Sequence, residues 1–242
     1  MTWSDGRLLC QNLFSASKKA IQQLNNSDMP QSIKLFPLLL VTIFTSTFSK
    51  AQDNDMPDTR RKTESFARFH YPEIRADLAT FTLAGTSESV GAIPLKKINY
   101  STLTNSTITF DGDGIKAIVK IAPFDPKKHK LIFDEKYLLR IDRRPYYGGY
   151  PNVPKTSIST VSVIIDNDTV FIPPIAYSDL FNLNFTYTDN GAERTADAVY
   201  ISKNGHNVYL YLFSKDNSGS YEVTWIIQDK KYLRRVLDYD LM

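Results

Sequence analysis

From Leu78 onward, apolar and polar residues alternate with a period of two through most of the chain, which predicts strands joined by tight turns. Residues 107–110 and 115–121 flank Asp111-Gly112-Asp113-Gly114, read as a four-residue hairpin turn, and residues 130–133 and 137–141 flank Asp134-Glu135-Lys136. Val161, Val163 and Ile165 alternate with Thr160, Ser162 and Ile164, turn at Asp166-Asn167-Asp168, and return through Val170 and Ile172. Val199 and Ile201 lead to Asn204-Gly205. That pair is the strongest hairpin signal in the chain, since a type I′ turn needs positive φ at both central residues. The return strand sets Val208, Leu210 and Leu212 on one face and Tyr209 and Tyr211 on the other. Finally, Tyr221, Val223, Trp225 and Ile227 alternate with Glu222, Thr224 and Ile226, and Asp229-Lys230 turns the chain into residues 232–237.

No long stretch of period 3.6 survives past residue 51. One apolar face per strand requires a second layer to cover it. The prediction is an all-β fold: an antiparallel β-sandwich or partly closed barrel built from hairpins, with one or two short helical turns. Residues 64–77 could form a short helix, which Pro72 is expected to interrupt, and residues 176–181 a single turn. Residues 64–242 read as a single β-rich domain, although a hinge between two sub-sheets at residues 145–154 stays open.

The N-terminal quarter follows a different pattern. Lys34 and Lys50 bracket fifteen uncharged residues, 35–49, of which the first ten are the most apolar in the chain. A helix of that length spans about 22 Å, short of a hydrocarbon core of about 30 Å, and matches a signal-peptide h-region. Ser49 and Ala51 occupy positions −3 and −1 of a cleavage site before Gln52. The expectation is therefore a signal peptide cleaved after Ala51, with a buried core element or an uncleaved anchor as the alternatives. Met29 supplies the short basic n-region expected of such a leader, so residues 1–28 are read as an upstream extension. Residues 52–63 are polar and aperiodic, a flexible tether.

This division changes the charge. The chain of 242 residues has 29 basic and 26 acidic side chains, but residues 1–51 hold five of the first and two of the second. The remainder is neutral, with no general positive field for nucleic acid. The one cysteine, Cys10, also precedes the h-region, so the mature chain is expected to be disulfide-free and unlipidated, with no stable membrane anchor.

Candidate chemistry is sparse. Gly85-Thr86-Ser87-Glu88-Ser89 lacks the second glycine of a nucleophile elbow. His70, His129 and His206 read as surface histidines, and cationic neighbours of His129 would favour its neutral form. The proline of His70-Tyr71-Pro72-Glu73 spoils a helical metal-ligating face. Asp111-Gly112-Asp113-Gly114 and Asp216-Asn217-Ser218-Gly219 are incomplete calcium loops better explained as turns. Neither a P-loop nor a dinucleotide fingerprint occurs, so no catalytic residue, metal or cofactor is assigned. Asp111, Asp113, Asp166, Asp168 and Glu222 could supply paired carboxylates for glycan hydrolysis, if two face each other across a cleft.

The segment from Arg143 to Pro154 is unusual, with Arg143, Arg144, Tyr146, Tyr147 and Tyr150 among two glycines and three prolines. Tyrosine faces suit sugar stacking or a protein interface, and arginines suit carboxylates. These five residues are the candidate ligand or partner surface, against the alternative that the tyrosines close the open end of the sandwich. Sequons at Asn99, Asn105, Asn167 and Asn184 are near the number chance supplies.

The Ser49-Lys50-Ala51-Gln52 junction is similar to signal peptides of secreted Bacteroidota proteins. Asp168-Thr169-Val170 resembles the short O-glycosylation acceptor of their periplasm, which implies a glycan on Thr169. Residues 140–154 and 214–225 resemble segments of uncharacterised β-rich secreted proteins of that group, a resemblance that implies no activity. The expected function is a periplasmic or extracellular β-domain that binds a protein or glycan of the cell envelope without catalysis. A β-fold glycan hydrolase is the first alternative, and a structural subunit of an envelope complex the second.

Overall fold

The computed structural model describes residues 64–215 and 220–239, all within one compact unit, Asp58–Met242. The expected leader, its cleavage site and the tether at 52–63 lie outside the described residues. The strands are β1 (Lys96–Ile98), β2 (Tyr100–Leu103), β3 (Thr107–Gly112), β4 (Ile115–Pro123), β5 (Leu131–Asp134), β6 (Tyr137–Ile141), β7 (Thr156–Ile165), β8 (Asp168–Val170), β9 (Tyr187–Asp189), β10 (Ala192–Arg194), β11 (Ala198–Ile201), β12 (Asn207–Ser214), β13 (Tyr221–Gln228) and β14 (Lys231–Tyr239). One sheet has the order β1-β11-β12-β13-β14 and the other β2-β3-β4-β7-β8, while β5-β6 and β9-β10 form separate hairpins. The pairings between these strands are antiparallel, as the hairpin pattern predicts.

The two five-stranded sheets share the main core. Ile108, Phe110, Ala117, Val119 and Val163 of one meet Leu210, Leu212, Val223, Trp225 and Ile227 of the other. On the second sheet Lys116 and Lys120 point outward to solvent, so it has one wet face. The first sheet is covered on both faces. Tyr209, Ile226 and Val236 on its outer face pack against Phe66, Phe69, Ile74 and Leu78 of the segment before the first strand. β12 and β13 are consequently buried almost throughout.

The N-terminal layer corrects the expectation of a helix broken at Pro72. The one α-helix among the described residues, α1 (Pro72–Ala79), begins at that proline. Its missing N–H falls where the helix has no acceptor to offer, and Tyr71 is extended, as a residue before proline must be. The turn expected at 176–181 is a short 3-10 turn at Pro174–Ala176.

Turn chemistry also differs in detail. β3 runs on through Gly112, so the loop is Asp113-Gly114 alone, with φ of 52° and 74°. Asp166-Asn167 and Asp229-Lys230 likewise take positive φ at both residues, the two-residue turn that matches the strands' twist. Asn190-Gly191 does the same between β9 and β10, a hairpin the strand pattern had not revealed. Asn204-Gly205 joins β11 to β12 as expected, but not through a type I′ turn, since only Gly205 has positive φ there. Asn204 instead accepts hydrogen bonds on Oδ1 from the Ser202 hydroxyl (2.7 Å) and the His206 N–H (3.0 Å). Those side-chain bonds select a longer loop.

Candidate ligand-binding site

The segment Arg143 to Pro154 is bound into the fold at several points. The Tyr146 hydroxyl donates to the carbonyls of Leu138 (3.1 Å) and Asn152 (3.3 Å). Tyr147 exchanges backbone hydrogen bonds with its neighbours, its N–H to Asp179 O at 2.9 Å and its carbonyl accepting from Phe181 at 2.8 Å. Gly148 has φ of 89°, and a Cβ there would come within 2.0 Å of the Phe181 carbonyl oxygen, so only glycine fits. Tyr146 belongs to a small core with Phe124, Leu138, Ile141 and Phe181, and Tyr147 to the main core.

These contacts correct the surface expected at the tyrosines. Tyr146 and Tyr147 are only 1% and 6% exposed, because each ring is apolar and the Tyr146 hydroxyl reaches backbone acceptors. Tyr150 is half-buried beside Tyr146. Arg143 and Arg144 stay exposed, and neither guanidinium forms an ion pair among the described residues. The tyrosines therefore hold the segment, and the arginines are what it offers to solvent.

The two arginines border a constellation that the sequence had not suggested. The register Leu131↔Ile141 of the β5-β6 hairpin brings residue 130 opposite residue 142. Asp142 and Arg143 make the reversal with φ of 51° and 65°, closed by Arg144 N–H to Ile141 O at 2.9 Å. Asp142 Oδ1 then accepts the Lys130 N–H at 2.8 Å, and Oδ2 lies 2.7 Å from His129 Nδ1. The His129 hydrogen bond, and next the Lys130 N–H, hold the Asp142 carboxyl below its ordinary value. An ionised carboxylate only accepts, so Nδ1 carries the imidazole proton and Nε2 is left for another partner. The ring stacks on Phe124 with centroids 4.7 Å apart, which fixes its plane. His129 is exposed, as expected, and Asp142 is a partner that the sequence did not suggest.

His129, Asp142, Arg144, Tyr146, Ser178 and Asp179 line a recess of about 300 Å³, at the small end of the range for ligand sites. Asp179 is engaged elsewhere, pairing through both oxygens with Arg235. Arg235 also donates from Nε to Glu64 at 2.6 Å and from Nη1 to the Ala176 carbonyl at 3.0 Å. Burial opposes its charge, but the bonds and charges of Asp179 and Glu64 outweigh that and hold it above the ordinary arginine value. Asp179 is thereby held in place at the recess wall.

The carboxylates considered for hydrolysis are dispersed. Asp113 and Asp166 line one cleft of about 820 Å³ where hairpin tips of the two sheets meet. Asp113 pairs with Lys96, and Lys230 Nζ bridges Asp166 (3.2 Å) and Asp168 (3.0 Å). Asp111 faces Lys116. Glu222 is buried on the outer face of the first sheet and takes no part in that cleft. Thr169 is exposed on the edge strand β8, and His206 is exposed and bonded to Asp229. No group of three or more His, Cys, Asp or Glu residues able to hold a metal ion occurs among the described residues, and none of their helices is long and apolar enough to cross a membrane.

Comparisons with protein families, curated proteins and solved structures find no match to this chain.

Proposed function

We propose that this chain is an exported β-domain of the cell envelope that binds a glycan or protein partner through the segment carrying Arg143 and Arg144. The observation that carries the reading is the contrast within that segment. Tyr146, Tyr147 and Gly148 lock it to the core, while two adjacent guanidinium groups stand exposed without an ion pair among the described residues. A preformed loop lowers the ordering cost of binding, and arginine is suited to planar anionic groups. Export rests on the apolar stretch 35–49 and the Ser49-Lys50-Ala51 junction, and a glycan on Thr169 would belong to the same compartment.

The test is binding of the purified protein to envelope polysaccharides and envelope proteins, with Arg143→Ala/Arg144→Ala as the comparison. Binding that falls at least about tenfold in the double variant, with unchanged thermal stability, is the expected outcome. Equal binding by both proteins would remove the segment from the account.

The second reading is a glycan hydrolase at the cleft that Asp113 and Asp166 both line, favoured by that shared lining alone. Reducing-sugar release from envelope polysaccharide that disappears in Asp166→Asn would establish it over simple binding.

A further inference from the structure

The recess beside Arg144 has a chemistry that narrows what it would hold. Three polar side chains line its wall: Arg144, Ser178 and His129. They come from three separate stretches, the reversal after β6, the loop that follows the 3-10 turn at Pro174–Ala176, and the residue ahead of β5. Asp142 also lines it, its two oxygens accepting from Lys130 and His129 and its charge acting on Arg144. Asp179 gives both of its oxygens to Arg235.

With Nδ1 donating to Asp142, Nε2 of the neutral His129 ring is an acceptor. The recess therefore sets one cation, Arg144, beside that acceptor and the Ser178 hydroxyl.

We propose that this recess binds an acidic sugar, with Arg144 as the anchor for its carboxylate and His129 Nε2 as an acceptor for a neighbouring hydroxyl. The small volume suits one sugar residue, and Ser178, which both donates and accepts, suits a hydroxyl beside the carboxylate. This deepens the binding reading above and rests on it.

The experiment is calorimetric titration of the protein with an oligomer of glucuronic acid, with the neutral glucose oligomer and inorganic phosphate as comparisons. The expected result is binding of the acidic oligomer, with none for the neutral one. Arg144→Ala weakens it by about tenfold or more, while His129→Ala weakens it by less and keeps the Arg144 share. Circular dichroism and thermal melting of both variants separate loss of the site from loss of the fold. Equal binding of the neutral oligomer, or tighter binding of phosphate, overturns the acidic-sugar assignment. Binding untouched by either variant overturns the recess as the site but leaves an envelope-binding domain standing. Failure of the protein to bind any polysaccharide or envelope protein overturns both.

Discussion

Asp197 lies just before β11 with its side chain buried. Oδ1 accepts the Phe213 N–H at 2.8 Å, and Oδ2 has no hydrogen-bond partner among the described residues. Burial pushes its carboxyl well above the ordinary aspartate value, against the opposing pull of the Phe213 and Thr195 hydrogen bonds. A carboxyl raised in the folded state stabilises the fold fully below its unfolded value and loses that contribution as pH climbs through the folded one. Asp197→Asn keeps the acceptor for Phe213 and removes the ionisation. The variant is expected to match or exceed the parent by about 1 kcal/mol near pH 8, with the gap closing toward pH 4, in urea melts at both pH values. A parent that gains stability over the variant as pH rises would contradict the assignment. Gly148 is the other sharp position. Gly148→Ala must place a Cβ against the Phe181 carbonyl at positive φ, and is expected to cost about 2–4 kcal/mol in the same melts.

Among the elements, the layer before β1 is tied to the sheet in part by one side chain of β13. Glu222 Oε2 accepts the Leu83 N–H and the Tyr211 hydroxyl, and Oε1 accepts the Ala84 N–H, each at 2.8 Å. Burial raises its carboxyl in spite of those bonds, so its ionised form is held there at some cost. Glu222→Ala would leave two backbone donors and a phenol unpaired, an expected loss of about 3 kcal/mol. Hydrogen exchange is expected to show faster exchange at Leu83 and Ala84 with β3 and β4 unchanged; uniform change across both sheets would mean the layer does not open separately. The hairpins were readable because period-2 alternation and Asp, Asn and Gly pairs are local signals. The N-terminal layer was not, because α1 is only eight residues long and its partner strands β12 and β13 are buried on both faces although the outer face of β13 carries Glu222 and Thr224. Alternation there shows two faces, and nothing local tells which neighbour covers each.

For the molecule as a whole, the testable claim concerns processing and place. If the stretch 35–49 directs export, the protein recovered from the native cell begins at Gln52 and fractionates outside the cytoplasm. Mass spectrometry of that protein is expected to show no peptide from residues 1–51, and intact cytoplasmic chain would refute export.

By itself the chain determined that it folds as antiparallel hairpins facing one another, since a period of two and turn-forming pairs act over a few residues. Local sequence also marked the Arg143 to Pro154 segment as unusual in composition, without saying which side chains face water. Only the tertiary structure decided that Tyr146 and Tyr147 turn inward, that Glu222 clasps a third layer, and that Asp142 meets His129 across a hairpin. Those outcomes depend on strand register and on which surfaces meet, and residues thirteen to one hundred and thirty-nine apart in sequence carry no local sign of their partners.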